Sequence, residues 1–481
     1  MSIRIAGLFL LAAGLGLYAW KDWFRSLCGL IVLMAFLEHR DMPKNLFGIQ
    51  GLNAWNLLLC VICAAWLTSR RREGLQGDMP STAGLLLLMY LGVVAVGVVR
   101  AALDHGHLAG YPLSSLISEE LINTTKWILP GLLLFDGART RTRVVMVIAC
   151  LLTMYFLISI QVIRRVPHEA AFITNQAVEL ARVRLSRRIG YNACDLSAMF
   201  AGAFWGILAV LPLVRRRSHG AVLLAVAAVI AFGQALTGGR AGFLAWGTTG
   251  LVLCLLRWRK YLILVPAVVV LLLVMLPGVA GRMRIGFGQV DAAGQSTVDP
   301  YLVTSGRSVI WGHVLDKIGD APVLGHGRLA MRRLGLTESL GLDYREAAGH
   351  PHNMYLETLL DNGVLGSLLI FWLWGVVMVC SVRLFRSSNR LYSAVGGLTL
   401  SLVLAQLLAG IGAQHVYPRE STLGTWAAMF LTGRVYVEER RAARAERAGL
   451  LPDAVGPDRT GEGEEEYRGR GGSPRRGNGI R

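Results

Sequence analysis

His350-Pro351-His352-Asn353 closes a long polar segment, just before the chain turns apolar again. Proline holds the backbone out of helix between the two imidazoles. Histidine is the side chain whose ordinary pKa, ~6.5, lets it take and return a proton near neutral pH. Two of them at the margin of an apolar run, His350 and His352, are candidates for acid–base chemistry at a bilayer surface. The plainer reading is a polar loop in which Asn353 caps the next helix. That helix shows a short apolar face of Leu356, Leu359 and Leu360, and Asn362-Gly363 reads as its break.

Arginines supply a second kind of chemistry. Thr237-Gly238-Gly239-Arg240 lies at the junction of two apolar runs, where an arginine is costly unless it finds a partner or water. Thr304-Ser305-Gly306-Arg307 precedes an amphipathic stretch, and Arg182, Arg184, Arg187 and Arg188 lead to Gly190-Tyr191-Asn192. Singly these are interfacial or loop arginines. Together Arg240 and Arg307 suggest an anion site, because guanidinium recognises phosphate in a planar, permanently charged fork. A metal site is not expected. His350 and His352 would need ligands from afar, and Asp291, Asp299, Asp316 and Asp320 are dispersed. No Walker loop or dinucleotide fingerprint is present, so no cofactor is expected.

The elements that must position these groups are membrane helices. Apolar residues make up 54% of the 481 residues, and apolar runs of roughly 15–22 residues recur, close to the ~20 that a spanning helix needs. They lie near 3–20, 24–37, 47–68, 83–103, 121–135, 143–163, 193–214, 220–237, 241–256, 261–280, 364–382, 392–414 and 419–433. This predicts an all-α polytopic membrane protein of about twelve spans, or thirteen if the short 24–37 segment crosses. The first run lacks a cleavage signature and reads as a retained span.

The net charge of +18 raises nucleic acid as a partner, but the basic residues fall in short clusters between spans rather than on one face. Arg70–Arg72, Arg139–Arg143, Arg215–Arg217, Arg257–Lys260, Arg383–Arg390 and the tail from Arg440 fall on one side when spans alternate, which marks that side as cytoplasm. Two segments remain outside, 164–192 and 281–362. The expected organisation is therefore 1–280 as N-terminal membrane helices, 281–362 as a large outer helical loop domain, 363–434 as C-terminal membrane helices and 435–481 as a cytoplasmic tail. From Ala448 the tail is too polar to fold. Within the outer segment Ser308–Asp320 reads as a helix with Trp311, Val314, Leu315 and Ile318 on one face, capped by Thr304 or Ser305. The seven cysteines, including Cys60 and Cys63, read as small apolar packing residues.

Four motifs occur in order: Thr-x-x-Arg-x-x-x-Leu at Thr237–Leu244, Ser-Gly-Arg-x-x-x-Trp at Ser305–Trp311, Pro-x-x-Gly-x-Gly at Pro322–Gly327, and His-Asn-x-Tyr-Leu-x-x-Leu-x-x-x-Gly at His352–Gly363. That order resembles the O-antigen ligase and polymerase superfamily, with Gly239 departing from a frequent serine and Arg188 matching only loosely. The resemblance implies a metal-independent glycosyltransferase of the bacterial inner membrane, working at the periplasmic face. Its donor would be a glycan on undecaprenyl diphosphate. Its acceptor would be a hydroxyl of lipid A–core for a ligase, of another lipid-linked glycan for a polymerase, or of a protein in a third branch. The implied roles are His352 and His350 as acid–base groups and Arg240, Arg307 and Arg188 on the diphosphate. A transporter or flippase is the competing class, but the span interiors carry few charges, unlike most transporters.

Overall fold

The computed structural model describes residues 3–37, 46, 51–75, 77–104, 106, 111–173, 176–290, 296–336, 349–414 and 416–448. The chain is an all-α membrane protein. Among the described residues six helices are long and apolar enough to cross a bilayer: Ser81–Leu103, Arg141–Arg165, Ala193–Leu213, Arg217–Thr237, Met354–Phe385 and Arg390–Gly412. Shorter apolar helices cover Ile5–Ala19, Trp23–Phe36 and Arg240–Leu256. Helix Trp23–Leu37 has 15 residues, about 22 Å at 1.5 Å per residue, short of the ~30 Å hydrocarbon layer. Its Trp23, Phe24, Leu27, Leu30 and Ile31 are all core residues.

Two expected spans are broken rather than straight. The 121–135 region consists of a π-helix Leu116–Ile122, a short helix Asn123–Lys126 and helix Leu129–Gly137. Pro130 opens the last of these at its N-terminus, where a missing N–H costs least. The 261–280 region divides into a 3-10 turn Arg259–Leu264, helix Val265–Met275 and helix Pro277–Arg284. A two-stranded antiparallel hairpin, Phe287–Val290 with Ser296–Val298, follows within the expected loop domain. Backbone contacts divide the chain at Tyr436/Val437. Helix Leu423–Arg447 runs across that point and past the expected boundary at 434. The tail from 449 lies outside the described residues.

The centre of the fold is the pair Ala193–Val210 and Arg390–Ala409. Small residues let their backbones close up: a Cβ on Gly202 would stand 2.8 Å from Leu402 Cα, and one on Gly397 2.5 Å from Ala209 Cβ. In lipid such close packing, rather than water exclusion, holds helices together.

One helix is kinked, and the kink shapes the site. Helix Met354–Phe385 leaves helical geometry at Gly363, with φ 61° and ψ −170°. A kink strands backbone groups on both sides, and in a dry environment each needs a partner. The Pro322–Gly327 loop supplies them. Val364 N–H donates to Pro322 O at 2.8 Å and Leu365 N–H to Val323 O at 3.1 Å. In return His326 N–H donates to Leu360 O at 2.8 Å and Gly327 N–H to Asp361 O at 2.7 Å. The two chains touch backbone to backbone, so a Cβ on Gly325 would sit 2.4 Å from Gly363 N. Two further carbonyls of the loop are held by Arg100, whose Nη1 and Nη2 donate to Leu324 O (2.6 Å) and Gly325 O (2.7 Å), and His326 O accepts from Arg333.

Candidate active site

The histidine turn is built from backbone strain and a cap. Asn353 Oδ1 accepts from Tyr355 N–H (3.0 Å) and Leu356 N–H (3.2 Å), so the helix begins where a capping residue predicts. His352 just before it takes a left-handed φ of 50°, a conformation that costs a non-glycine residue roughly 1–2 kcal/mol. Such strain persists where surroundings over-determine it. Here the His352 N–H donates to His350 Nδ1 at 3.2 Å, and the two rings lie 4.1 Å apart. A neutral imidazole that accepts on Nδ1 carries its proton on Nε2. His350 thus spends its lone pair inside the turn.

His350 is also kept neutral. Burial, then the charge of Arg419, lowers its pKa to about 4; Arg307 and Arg328 act in the same sense, and Asp195 opposes them. Those four charges come from four different segments, so the turn faces a shared space.

Helix Arg307–Asp320 is docked on the turn through Trp311, whose Nε1 donates to Pro351 O at 2.9 Å. Ile310 and Val314 are buried beneath it, with Trp311 and Ile318 packed alongside. Leu315, expected on that face, is instead exposed. Thr304 Oγ1 accepts from Ser308 N–H at 3.0 Å, and Ser305 and Gly306 both take left-handed φ to swing the chain into the helix. This puts Arg307 at the helix start. Its guanidinium lies over Gly412 and next to Ala241: a Cβ on Gly412 would be 3.0 Å from Arg307 Nη1 and 3.1 Å from Ala241 Cβ. Among the described residues its one hydrogen-bond partner is the Cys194 sulphur, 4.0 Å from Nη2. Arg307 therefore presents an open fork.

Arg240, beside Ala241, is engaged differently. Its Nη1 donates to Ile285 O (3.2 Å), and its Nη2 to Leu302 O (2.8 Å) and Ser305 Oγ (2.5 Å). Neutral acceptors leave its charge uncancelled while tying the junction of two spans to the Ser305-Gly306-Arg307 turn. Nearby, Arg182 and Arg282 share a single carboxylate: each donates to Glu179 Oε1 at 2.7 Å. Arg282 also reaches Gly238 O, two residues from Arg240. Three arginines to one carboxylate leave positive charge to spare.

The structure thus gathers Arg240, Arg307, His350 and His352 through a chain of direct contacts. Arg188 is exposed, and none of its described contacts reaches Arg240 or Arg307. Arg282 was missed by sequence reasoning because it follows an apolar run and looks like an ordinary interfacial anchor. Arg328 was missed as well. Fully buried, it meets Glu120 (2.6 Å), Asp361 (2.9 Å) and Glu357 (3.2 Å) and lies 3.5 Å from the Tyr417 ring centroid. Burial alone would lower its pKa; Glu120, Tyr417, Asp361 and Glu357 more than offset this and hold it well above its ordinary value. Glu357 and Asp361 lie one and two turns beyond Asn353, so Arg328 pins the helix that carries the histidine turn.

Residues 222–371 match the family model described as O-antigen ligase, and this interval contains Arg240, Arg307 and the histidine turn. A 142-residue stretch is 28% identical to a protein of Rickettsia conorii (strain ATCC VR-613 / Malish 7) that carries the provisional name polysaccharide ligase. That stretch is 28% of this chain and 33% of the relative, so the chain spans about a third of the curated relative's length. Four motifs in order, a kinked helix interlocked with one of them, and the match over the same residues agree: residues 222–371 are similar to the O-antigen ligase family.

Proposed function

We propose that this protein transfers a glycan from undecaprenyl diphosphate to an acceptor hydroxyl of lipid A–core, at the periplasmic face of the bacterial inner membrane. The observation that carries this reading is the open guanidinium fork of Arg307, beside Arg240 and docked on the histidine turn. Bond cleavage from the anomeric carbon leaves negative charge on the diphosphate. Fixed arginines can stabilise that charge as it develops, the task a divalent cation performs elsewhere. His352 takes the acceptor proton as the new glycosidic bond forms. His350, its lone pair committed, supports the strained turn. Attack from the face opposite the leaving diphosphate inverts the anomeric centre. In this reading twelve or thirteen segments cross the bilayer, and the polyprenyl chain lies between helices. Arg282 takes the place that the sequence suggests for Arg188.

The test is deletion of the gene with complementation. Loss of the protein should leave bare lipid A–core and accumulated lipid-linked polymer on gels. His352→Ala should insert normally and lose ~10²–10⁴-fold in transfer. Arg307→Lys keeps the charge without the fork and should lose ~10²-fold or more. Core carrying one repeat unit would make the protein a polymerase instead. Normal lipopolysaccharide with an altered glycoprotein would move it to the protein-modifying branch.

A further inference from the structure

Residues 410–414 and 416–419 reach the same site through Gly412, Gln414 and Arg419. Gly412 lies under the Arg307 guanidinium. Gln414 donates from Nε2 to Glu357 Oε1, one turn into the histidine helix. Arg419 ends the segment. Its backbone is fixed by its own N–H donating to Thr422 Oγ1 at 3.0 Å, and its Nη1 donates to Gln414 O (3.2 Å) and Gln414 Oε1 (3.3 Å).

The other edge of that guanidinium carries no hydrogen bond among the described residues, only a looser ion pair. Glu420 stands 3.8 Å from Nε, beyond hydrogen-bond length. Nη2 has no hydrogen bond among the described residues, and the side chain is 36% exposed. The contrast with other arginines is informative. Arg328 is consumed by three carboxylates, and Arg434 is held by both oxygens of Asp78 at 2.8 and 2.9 Å. Those are structural forks. Among the described residues Arg419 and Arg307 each keep an edge with no hydrogen bond to a carboxylate, and the charge of each lowers the His350 pKa.

Resting on the reading of the site given above, we propose that Arg419 is a further phosphate-binding residue, gripping a second phosphate group across the histidine turn from Arg307. Its neutral anchor, Gln414, orients the fork, and the Glu420 carboxylate stands off at 3.8 Å from Nε. The phosphate belongs to the lipid diphosphate donor or to a phosphorylated acceptor lipid, and the two sources separate experimentally.

The experiment uses full-length protein in nanodiscs, with farnesyl diphosphate as the donor probe. Arg419→Gln, Arg419→Lys, Arg307→Gln and the exposed control Lys317→Gln are compared, each first shown to melt like the parent. Arg419→Gln should weaken farnesyl diphosphate binding about tenfold or more, because a charge-assisted bidentate contact is lost. Arg419→Lys should fall between it and the control. If binding holds but KM for a phosphorylated acceptor glycolipid rises, with no change for its dephosphorylated form, the phosphate is the acceptor's. A second readout excludes a purely structural role. His350 faces Arg419, Asp195, Arg307 and Arg328, so removing Arg419 should raise the acid limb of the kcat/KM profile. Unchanged binding, acceptor KM and acid limb in Arg419→Gln, while Arg307→Gln loses farnesyl diphosphate, would overturn the proposal and leave the site reading intact. A parent that binds no farnesyl diphosphate would sink both.

Discussion

Replacing Gly363 by alanine tests whether the kink and the Pro322–Gly327 loop are one interlocked unit. Gly363 sits at φ 61° and ψ −170°, a region open almost solely to glycine, and occupying it with a side chain costs ~1–3 kcal/mol. A Cβ there would stand 2.3 Å from both C and O of Val323. That obstacle is backbone, so no rotamer change relieves it. The loop must retreat, and four hydrogen bonds join it to the helix across the kink. Losing two of them in a site closed to water costs ~1–3 kcal/mol each. With the strain, the sum is ~3–9 kcal/mol, a large share of the ~5–15 kcal/mol that holds a typical protein together. The loop also leads into Arg328, so its retreat would free the carboxylates of Glu357 and Asp361. Gly375 on the same helix is the control: a Cβ there meets nothing within 4 Å, and alanine should be neutral or add up to ~1 kcal/mol. Detergent-phase thermal melts and size-exclusion profiles of Gly363→Ala and Gly375→Ala read the difference. If Gly363→Ala is monodisperse and melts with the parent, the interlock is not what holds this region.

Three further expectations follow from the same geometry. His350 titrates near 4 when folded, through burial, Arg419, Arg307 and Arg328 working against Asp195, but near ~6.5 when unfolded. Between those values the unfolded chain binds more protons, so stability is full above about pH 6.5, falls as the pH drops and levels off below about 4; His350→Asn should flatten that slope in melts across pH. Arg328→Gln leaves Glu120, Glu357 and Asp361 buried without their cation and should cost at least ~3–5 kcal/mol, read as loss of folded protein; adding Glu357→Gln should recover part of it, and no recovery would argue against charge burial as the cause. Truncation after Ala448 should leave transfer on complementation gels unchanged, since the removed residues cannot bury a core; a drop in transfer would assign the tail a role.

What could be read in the sequence was whatever acts locally. Asn353 is a capping type placed before an apolar period, and it caps. Asn362-Gly363 carries a break signal, and the helix leaves its geometry at Gly363. Arg240 and Arg307 stand out by position, one between apolar runs and one before an amphipathic helix. Three arginines depend on distant partners and were not legible. Arg328 shows no signal beside Gly327, because its partners sit at 120, 357, 361 and 417. Arg282 and Arg419 look like loop arginines until the fold sets them beside Gly238 and Gln414. The 121–135 region has the apolarity of a span, and composition cannot register the π-turn and the Pro130 restart that divide it.

The two motif types consequently do different work. The proline and glycines of Pro322–Gly327 and Gly363 are demanded by backbone that must pass within contact distance of backbone. In the proposed function the arginines and histidines serve charge and proton transfer. The interlock couples the two: the loop that completes the broken helix also delivers Arg328 to the carboxylates one and two turns past the cap. A strained histidine at φ 50° can be held only if the helix behind it cannot rotate, and Arg328 on Glu357 and Asp361 prevents that rotation. Loosening the hub should therefore lower kcat before it lowers the amount of folded protein, and the conservative Arg328→Lys, which keeps the charge but cannot span three carboxylates, is the variant in which those two effects should separate.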